Sequence, residues 1–325
     1  MLILDLRGNL GGLLNEAIDI TNFFIPKNEV VVSTKAKLKK WSEIYKTKYE
    51  PIDLEIPIVV LIDGRSASAS EIVAGSLQDL DRAVVIGTRS FGKGLVQRPK
   101  QLTYGTQLKV TISRYYTPSG RCIQALDYWN RDEKGNAVRV RQENYTEYKT
   151  KNGRSVFDGG GVQPDIDVAE SKISPITKAI INDDYIFDFA TEYYYKNNVS
   201  DLKSFQVTDV DFKDFKTFLK NRNFAFETKT EKAIDNAFAV ANEEGLDEAL
   251  ASDYNALLDR LNTYKSKGID ENKAQLKALI GNEIIKRYFY REGLHEYYIA
   301  NNVEIQKASE VLGDSNGYKR ILRGR

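Results

Sequence analysis

The first 170 residues alternate short apolar runs with helical patterns, and the rest of the chain is written at helical period. Leu2–Leu6 reads as a buried strand. It leads through the turn Arg7-Gly8-Asn9-Leu10-Gly11-Gly12 into a helix over 13–24, with Leu14, Ala17, Ile18 and Thr21 on one face and Pro26 as its stop. Val30–Val32 predicts a second strand, and the charged stretch 35–48 predicts an exposed segment. Ile58–Ile62 is a strongly apolar strand that runs through Asp63-Gly64-Arg65 and Ser66-Ala67-Ser68-Ala69-Ser70-Glu71 into a helix carrying Ile72, Gly75, Ser76 and Asp79. Ala83–Ile86 is a further strand, and Leu108–Tyr116 alternates like a half-buried one. Residues 125–157 are polar, with turn signals at Lys134-Gly135-Asn136 and Lys151-Asn152-Gly153, and predict a hairpin-like excursion.

This alternation predicts an α/β catalytic core over residues 1–170, closed by the loop Gly159–Asp165, and an all-α C-terminal region over 171–325. In the second half Phe212, Phe215, Phe218 and Leu219 share a helix face. Leu250, Tyr254, Leu257, Leu261 and Tyr264 form an apolar seam, and Leu276, Ile280, Ile284 and Tyr288 form another stripe. All three predict helix packing rather than a cofactor box.

Composition narrows the chemistry. Lys plus Arg number 47 and Asp plus Glu 46, so no nucleic-acid partner is indicated. One cysteine, Cys122, excludes an intramolecular disulfide, and one histidine, His295, excludes a Cys/His zinc site. No apolar run approaches a membrane span. The chain opens directly on a core strand, which predicts a fragment of a larger protein with any targeting segment upstream.

Ser68 lies between a strand and a helix N-terminus among small neighbours, where free backbone N–H groups suit a developing oxyanion. The same residues also fit a capping box, Ser68-Ala69-Ser70-Glu71, and Ser66 and Ser70 are rival nucleophiles. A serine nucleophile needs a base. His295 sits in a helical pattern beside Glu296-Tyr297-Tyr298, so the base is sought among lysines, carboxylates and tyrosines. Lys93 lies in the apolar, glycine-flanked run Phe91-Gly92-Lys93-Gly94-Leu95-Val96, and Gln97 could orient it without adding charge. A surface lysine in a glycine turn is the plain alternative. Gly87 through Lys93 also matches the first part of a phosphate-binding loop, but Gly94 replaces its Ser/Thr and no helix follows.

Taken in order, Leu4–Gly12, Ser66–Ile72, Gln78-Asp79, Gly87–Gln97, Tyr115–Arg121 and Gly159–Asp165 resemble the carboxy-terminal processing (tail-specific) peptidases of family S41, over residues 2–167. The resemblance implies a ClpP/crotonase-like core and a serine endopeptidase that cleaves proteins near exposed C-termini. It implies Ser68 as nucleophile, Lys93 as general base and Gln97 as the residue orienting that lysine. It further implies oxyanion donors from the backbone of Ala69 and of Gly11 or Gly12, Asp79 in support, and no metal or cofactor. It also implies a periplasmic or envelope location, possible homo-oligomers, and an upstream PDZ domain that this chain lacks. The helical half resembles the extension of Bacteroidetes-type members. A non-catalytic binding or scaffold module that keeps the fold is the alternative expectation.

Overall fold

The computed structural model describes residues 1–168 and 173–324. The chain divides into two compact units, Met1–Glu170 with Asn302–Arg325, and Ser171–Asn301. The first holds β1 (Leu2–Asp5), α1 (Leu14–Asn22), β2 (Val30–Lys35), β3 (Ile44–Lys46), β4 (Ile58–Ile62), α2 (Ala69–Asp79), β5 (Val84–Gly87), β6 (Leu95–Gln101), β7 (Gln107–Tyr116), β8 (Leu126–Arg131), β9 (Ala137–Arg139), β10 (Glu147–Lys149), β11 (Ser155–Phe157) and β12 (Ile166–Asp167). The second holds α3 (Pro175–Asn182), α4 (Tyr185–Lys196), α5 (Asp209–Asn221), α6 (Lys229–Glu243), α7 (Asp247–Glu271) and α8 (Lys273–Asn301). Helices α9 (Val303–Gly313) and α10 (Ser315–Leu322) return to the first unit.

A parallel sheet in the order β1-β4-β5-β12 forms the frame of the first unit. Its central strands are buried on both faces, so they read as unbroken apolar runs rather than alternating ones. On one face Ile58, Val60, Ile62 and Val85 meet Ala17 and Ile18 of α1 and Ile72, Val73 and Leu77 of α2. On the other, Val59, Leu61, Val84 and Ile86 meet Ala308, Val311, Leu312 and Tyr318. The Tyr318 hydroxyl donates to the Ile58 carbonyl (3.0 Å) and accepts its N–H (2.9 Å). Residues 302–324 therefore depart from the helical region in which the sequence reading places them. The second face of the sheet exposes large aliphatic side chains, and α9 and α10 cover them.

A second sheet runs β3-β2-β7-β6, antiparallel throughout, with β6 at its edge. Strand β3 falls inside the charged segment expected to be exposed; its Ile44 and Lys46 are exposed, and three residues give periodicity too little to announce a strand. The excursion over 125–157 resolves into the hairpins β8–β9 and β10–β11.

In the second unit Phe212, Phe215, Phe218 and Leu219 are buried with Ile180, Phe189, Leu276, Ile280 and Ile284, as the stripes predict. The α7 seam behaves otherwise: Leu250, Leu257 and Tyr264 are exposed, while Tyr254 stacks on Phe238 at 4.1 Å.

Candidate active site

The apolar strand β4 ends at Ile62, and the chain turns through 63–68 into α2. Ser68 sits at the helix N-cap with φ +57° and ψ −115°, a backbone conformation that costs a residue with a Cβ about 1–3 kcal/mol. The turn is zipped to the loop 7–12. Asp63 Oδ1 accepts the N–H groups of Gly8, Arg65 and Ser66, and Ala67 N–H donates to the Asn9 carbonyl at 3.0 Å. Of the three serines here, Ser66 is fully buried and donates to the Leu6 carbonyl (2.7 Å). Ser70 is buried and donates to the Asn9 carbonyl (3.1 Å). Ser68 alone is half-exposed.

Gly11 explains why the loop and the turn can lie so close. Its φ is +88°, and a Cβ there would stand 2.4 Å from the Ala67 carbonyl oxygen and 2.7 Å from Ala69 N. Its N–H donates to Asn9 Oδ1 at 2.9 Å. Ala69, as the first residue of α2, has no carbonyl four residues back within the helix to receive its N–H. A cavity of about 180 Å³ opens beside this turn, lined by Leu6, Gly11, Gly12, Ala17, Ala69 and Val73 among others.

Lys93 lies in the loop between β5 and β6, with an exposed side chain that pairs with no group among the described residues. The glycines around it permit a close approach. A Cβ on Gly92 would stand 2.2 Å from Ala125 Cβ, and one on Gly94 would stand 2.7 Å from Gln124 N. No helix follows Gly94; β6 does, so the partial phosphate-loop motif leads into an edge strand. Gln97 is exposed on β6 and donates to Thr111 Oγ1 (3.3 Å), not to Lys93. His295 is exposed on α8.

The residue that joins the serine turn to the lysine loop is Glu71, which the sequence offered only as a capping-box acid. It is fully buried. Oε2 accepts both Ser68 N–H (2.9 Å) and Lys93 N–H (2.8 Å), so one atom bridges the two backbones. Oε1 accepts Gly92 N–H (2.7 Å) and Ser90 Oγ–H (2.5 Å), and Ser90 Oγ in turn accepts Val162 N–H (2.7 Å). Among the described residues no hydrogen bond links the Ser68 hydroxyl to the Lys93 amine; what Glu71 holds together is their two backbone N–H groups.

Burial pushes the Glu71 carboxyl above its ordinary 4.5, against these four hydrogen bonds, which favour the charged form. The fold thus binds this proton more tightly than the unfolded chain does. The stability this group contributes is complete below the ordinary carboxylate value and is lost as pH rises through the raised one. Glu71→Gln removes that titration and one acceptor oxygen. At pH 7 it is expected to cost about 1–3 kcal/mol for the unpaired N–H groups. In urea unfolding, the wild-type advantage over the variant should widen on acidification from pH 7 towards 5; an advantage that narrows would contradict the raised value.

Asp79 stands at the other end of α2. Its carboxylate pairs with Arg121 (2.8 Å), both side chains having no exposed surface, and it accepts Ser119 N–H (3.0 Å) and the Thr117 hydroxyl. Arg121 also donates to Gln78 Oε1 (2.7 Å). This pair ties the loop 117–121 to the helix that carries Ser68.

Residues 1–128 match the family model described as peptidase family S41, and residues 176–312 match the one described as probable PDZ-protease, C-terminal helical domain. The S41 match thus covers residues 1–128, the part of the chain that holds Ser68 and Lys93. The carboxy-terminal-processing protease of Bartonella bacilliformis is 50% identical over 124 residues, 38% of this chain and 28% of that protein. A probable CtpA-like serine protease of Staphylococcus haemolyticus is 28% identical over 259 residues, 78% of this chain and 44% of that protein. Among solved structures, the photosystem II D1 C-terminal processing protease aligns over 53% of this chain and 35% of its own, at 28% identity and a TM-score of 0.39. The chain spans between roughly a quarter and a half of the length of the curated relatives named here.

Proposed function

We propose that this chain carries the catalytic part of a serine endopeptidase that cleaves polypeptides near their C-termini by a Ser-Lys pair. The observation that carries the reading is the Glu71 bridge. It fixes the strained, half-exposed Ser68 and the loop of the otherwise unpaired Lys93 on one buried oxygen. The names of the relatives, carboxy-terminal-processing protease and CtpA-like serine protease, support the substrate class.

In this mechanism neutral Lys93 takes the Ser68 proton as Oγ attacks the scissile carbonyl. The backbone N–H of Ala69, with one from Gly12 or Gly11, holds the oxyanion, and Lys93 returns the proton to the leaving amine. Gly11 serves only if its N–H leaves Asn9, so Gly12 is the readier donor. The Lys93 amine must be covered from water to act as a base at neutral pH, and a bound substrate would supply that cover. Gln97 reaches Lys93 only by giving up Thr111. The cavity beside Ser68 takes a substrate side chain. Asp79 supports the helix that presents Ser68. A periplasmic or envelope location belongs to the same reading; among the described residues no helix is long and apolar enough to cross a membrane.

The expected product pattern is release of a C-terminal fragment from an unstructured protein tail, read by intact-mass spectrometry. Uncut tails in all substrates, together with tight tail binding, would favour a non-catalytic module.

A further inference from the structure

The chain is balanced in charge overall, but its charges are not evenly placed. From residue 83 to 126 there are seven basic residues and no acidic one. The second sheet, β3-β2-β7-β6, contains no Asp or Glu in any strand, while Lys35, Lys46, Arg98, Lys100, Lys109 and Arg114 lie within it.

The register shows which of these act together. Lys35 stands opposite Arg114, and Arg114 stands opposite Leu95, so these three share a face. Past the β-bulge between Val96 and Gln97, Arg98 pairs with Val110 and Lys100 with Leu108, so Arg98 and Lys100 form a second basic pair along the edge strand β6. Tyr115, one position on from Arg114, packs into the core, so Arg114 and Lys35 face outward. Arg98, Lys100, Arg114 and Lys35 are all exposed, and among the described residues none of the four forms an ion pair. The contact found is Lys35 Nζ over the Tyr116 ring at 4.2 Å. Like charges directly opposite each other weaken a strand pair, and Lys35 with Arg114 is such a pair, with no salt bridge to an acid among the described residues. Asp127 is the acid whose charged form Arg114 favours, and Glu43 is engaged with the Tyr45 hydroxyl.

Edge protection is the plain use of charge and proline on a strand such as β6. It accounts for Arg98-Pro99-Lys100, but either sign of charge serves it. It does not account for a sheet without one acid, or for a repelling pair on the inner strands.

We infer that this acid-free sheet, through Arg98 and Lys100 on its edge strand β6, is a docking surface for acidic polypeptide segments, and that it biases the peptidase towards tails bearing Asp or Glu. The inference rests on the proposed peptidase reading. Its position supports the assignment: β6 begins two residues after Lys93, so Arg98 and Lys100 lie on the strand that continues from the active-site loop. Their i, i+2 spacing, about 7 Å along a strand, matches acids at alternate positions of an extended substrate.

The test compares two unstructured peptides that differ only by Asp/Glu against Asn/Gln. The acidic peptide is expected to have a kcat/KM about five- to tenfold higher at low salt, with the advantage lost at high salt. In Arg98→Glu/Lys100→Glu it should invert, with hydrolysis of the neutral peptide unchanged. A ratio near one in the wild type, or one that survives the charge reversal, overturns the inference and leaves the peptidase reading intact. If neither peptide is cut, anisotropy of the labelled acidic peptide with wild type and the reversed variant decides it separately. Binding to phosphatidylglycerol vesicles without peptide discrimination would assign the face to a membrane and overturn it too.

Discussion

Replacing Ser68 by alanine is expected to lower tail hydrolysis by about 10⁴-fold or more, because nucleophile and base act as a unit and no other group can form the acyl-enzyme. Lys93→Ala should fall to a similar level. Lys93→Arg separates the roles of that residue: it keeps the positive charge but cannot shed a proton at neutral pH. An arginine variant as inactive as the alanine one supports general-base chemistry, whereas recovery would make Lys93 an electrostatic residue. Ser68→Gly adds a readout that loss of function alone does not give. Ser68 holds φ at +57°, which glycine adopts without strain. The glycine variant should therefore be inactive yet more stable than wild type by about 1 kcal/mol or more in urea unfolding. Undiminished hydrolysis in both Ser68→Ala and Lys93→Ala would end the proposed mechanism.

The second large effect concerns stability. Asp79→Ala would leave the Arg121 guanidinium buried with its carboxylate partner gone, a change that costs about 3–5 kcal/mol. Thr117 and the Ser119 N–H would lose their acceptor as well. Much of the stability of an ordinary domain is of this size, so the variant should unfold at far lower urea and lose activity with its fold. Asp79→Leu/Arg121→Met removes both charges and should recover most of the stability, since an apolar pair of similar volume replaces a buried ion pair at little cost. Recovery of the fold without recovery of hydrolysis would give Asp79 a direct part in positioning Ser68. Recovery of both would make it a structural brace.

Much of the architecture is legible in the pattern of residues. The strand Ile58–Ile62 was expected at the bounds observed, since five consecutive aliphatic residues between turn signals have no other use in a layered fold. The glycines beside Lys93 announce a close backbone approach, and Gly92 and Gly94 make it against Ala125 and Gln124. Strand β3 and the short hairpin strands β9, β10 and β11 were not legible, being three residues long. Gln97 illustrates a different limit. Spacing put it near Lys93, but on β6 it faces Thr111 across the ribbon, and a β-bulge between Val96 and Gln97 shifts the register there.

The candidate chemistry is readable from residue order alone: a serine at a strand-to-helix turn, a lysine in an apolar glycine run, and one histidine in the chain to compete with it. Those are properties of residue type and local order. How the pieces are held depends on contacts made in three dimensions. Glu71 became the bridge between serine turn and lysine loop because burial turned a capping acid into an acceptor shared by four donors. The helices at 302–324 joined the first unit because the far face of the parallel sheet had to be covered. Ser68 was separated from Ser66 and Ser70 because their hydroxyls are spent on backbone carbonyls while its own is not buried. Each decision turns on which groups from distant parts of the chain exclude water together, and linear order does not carry that information.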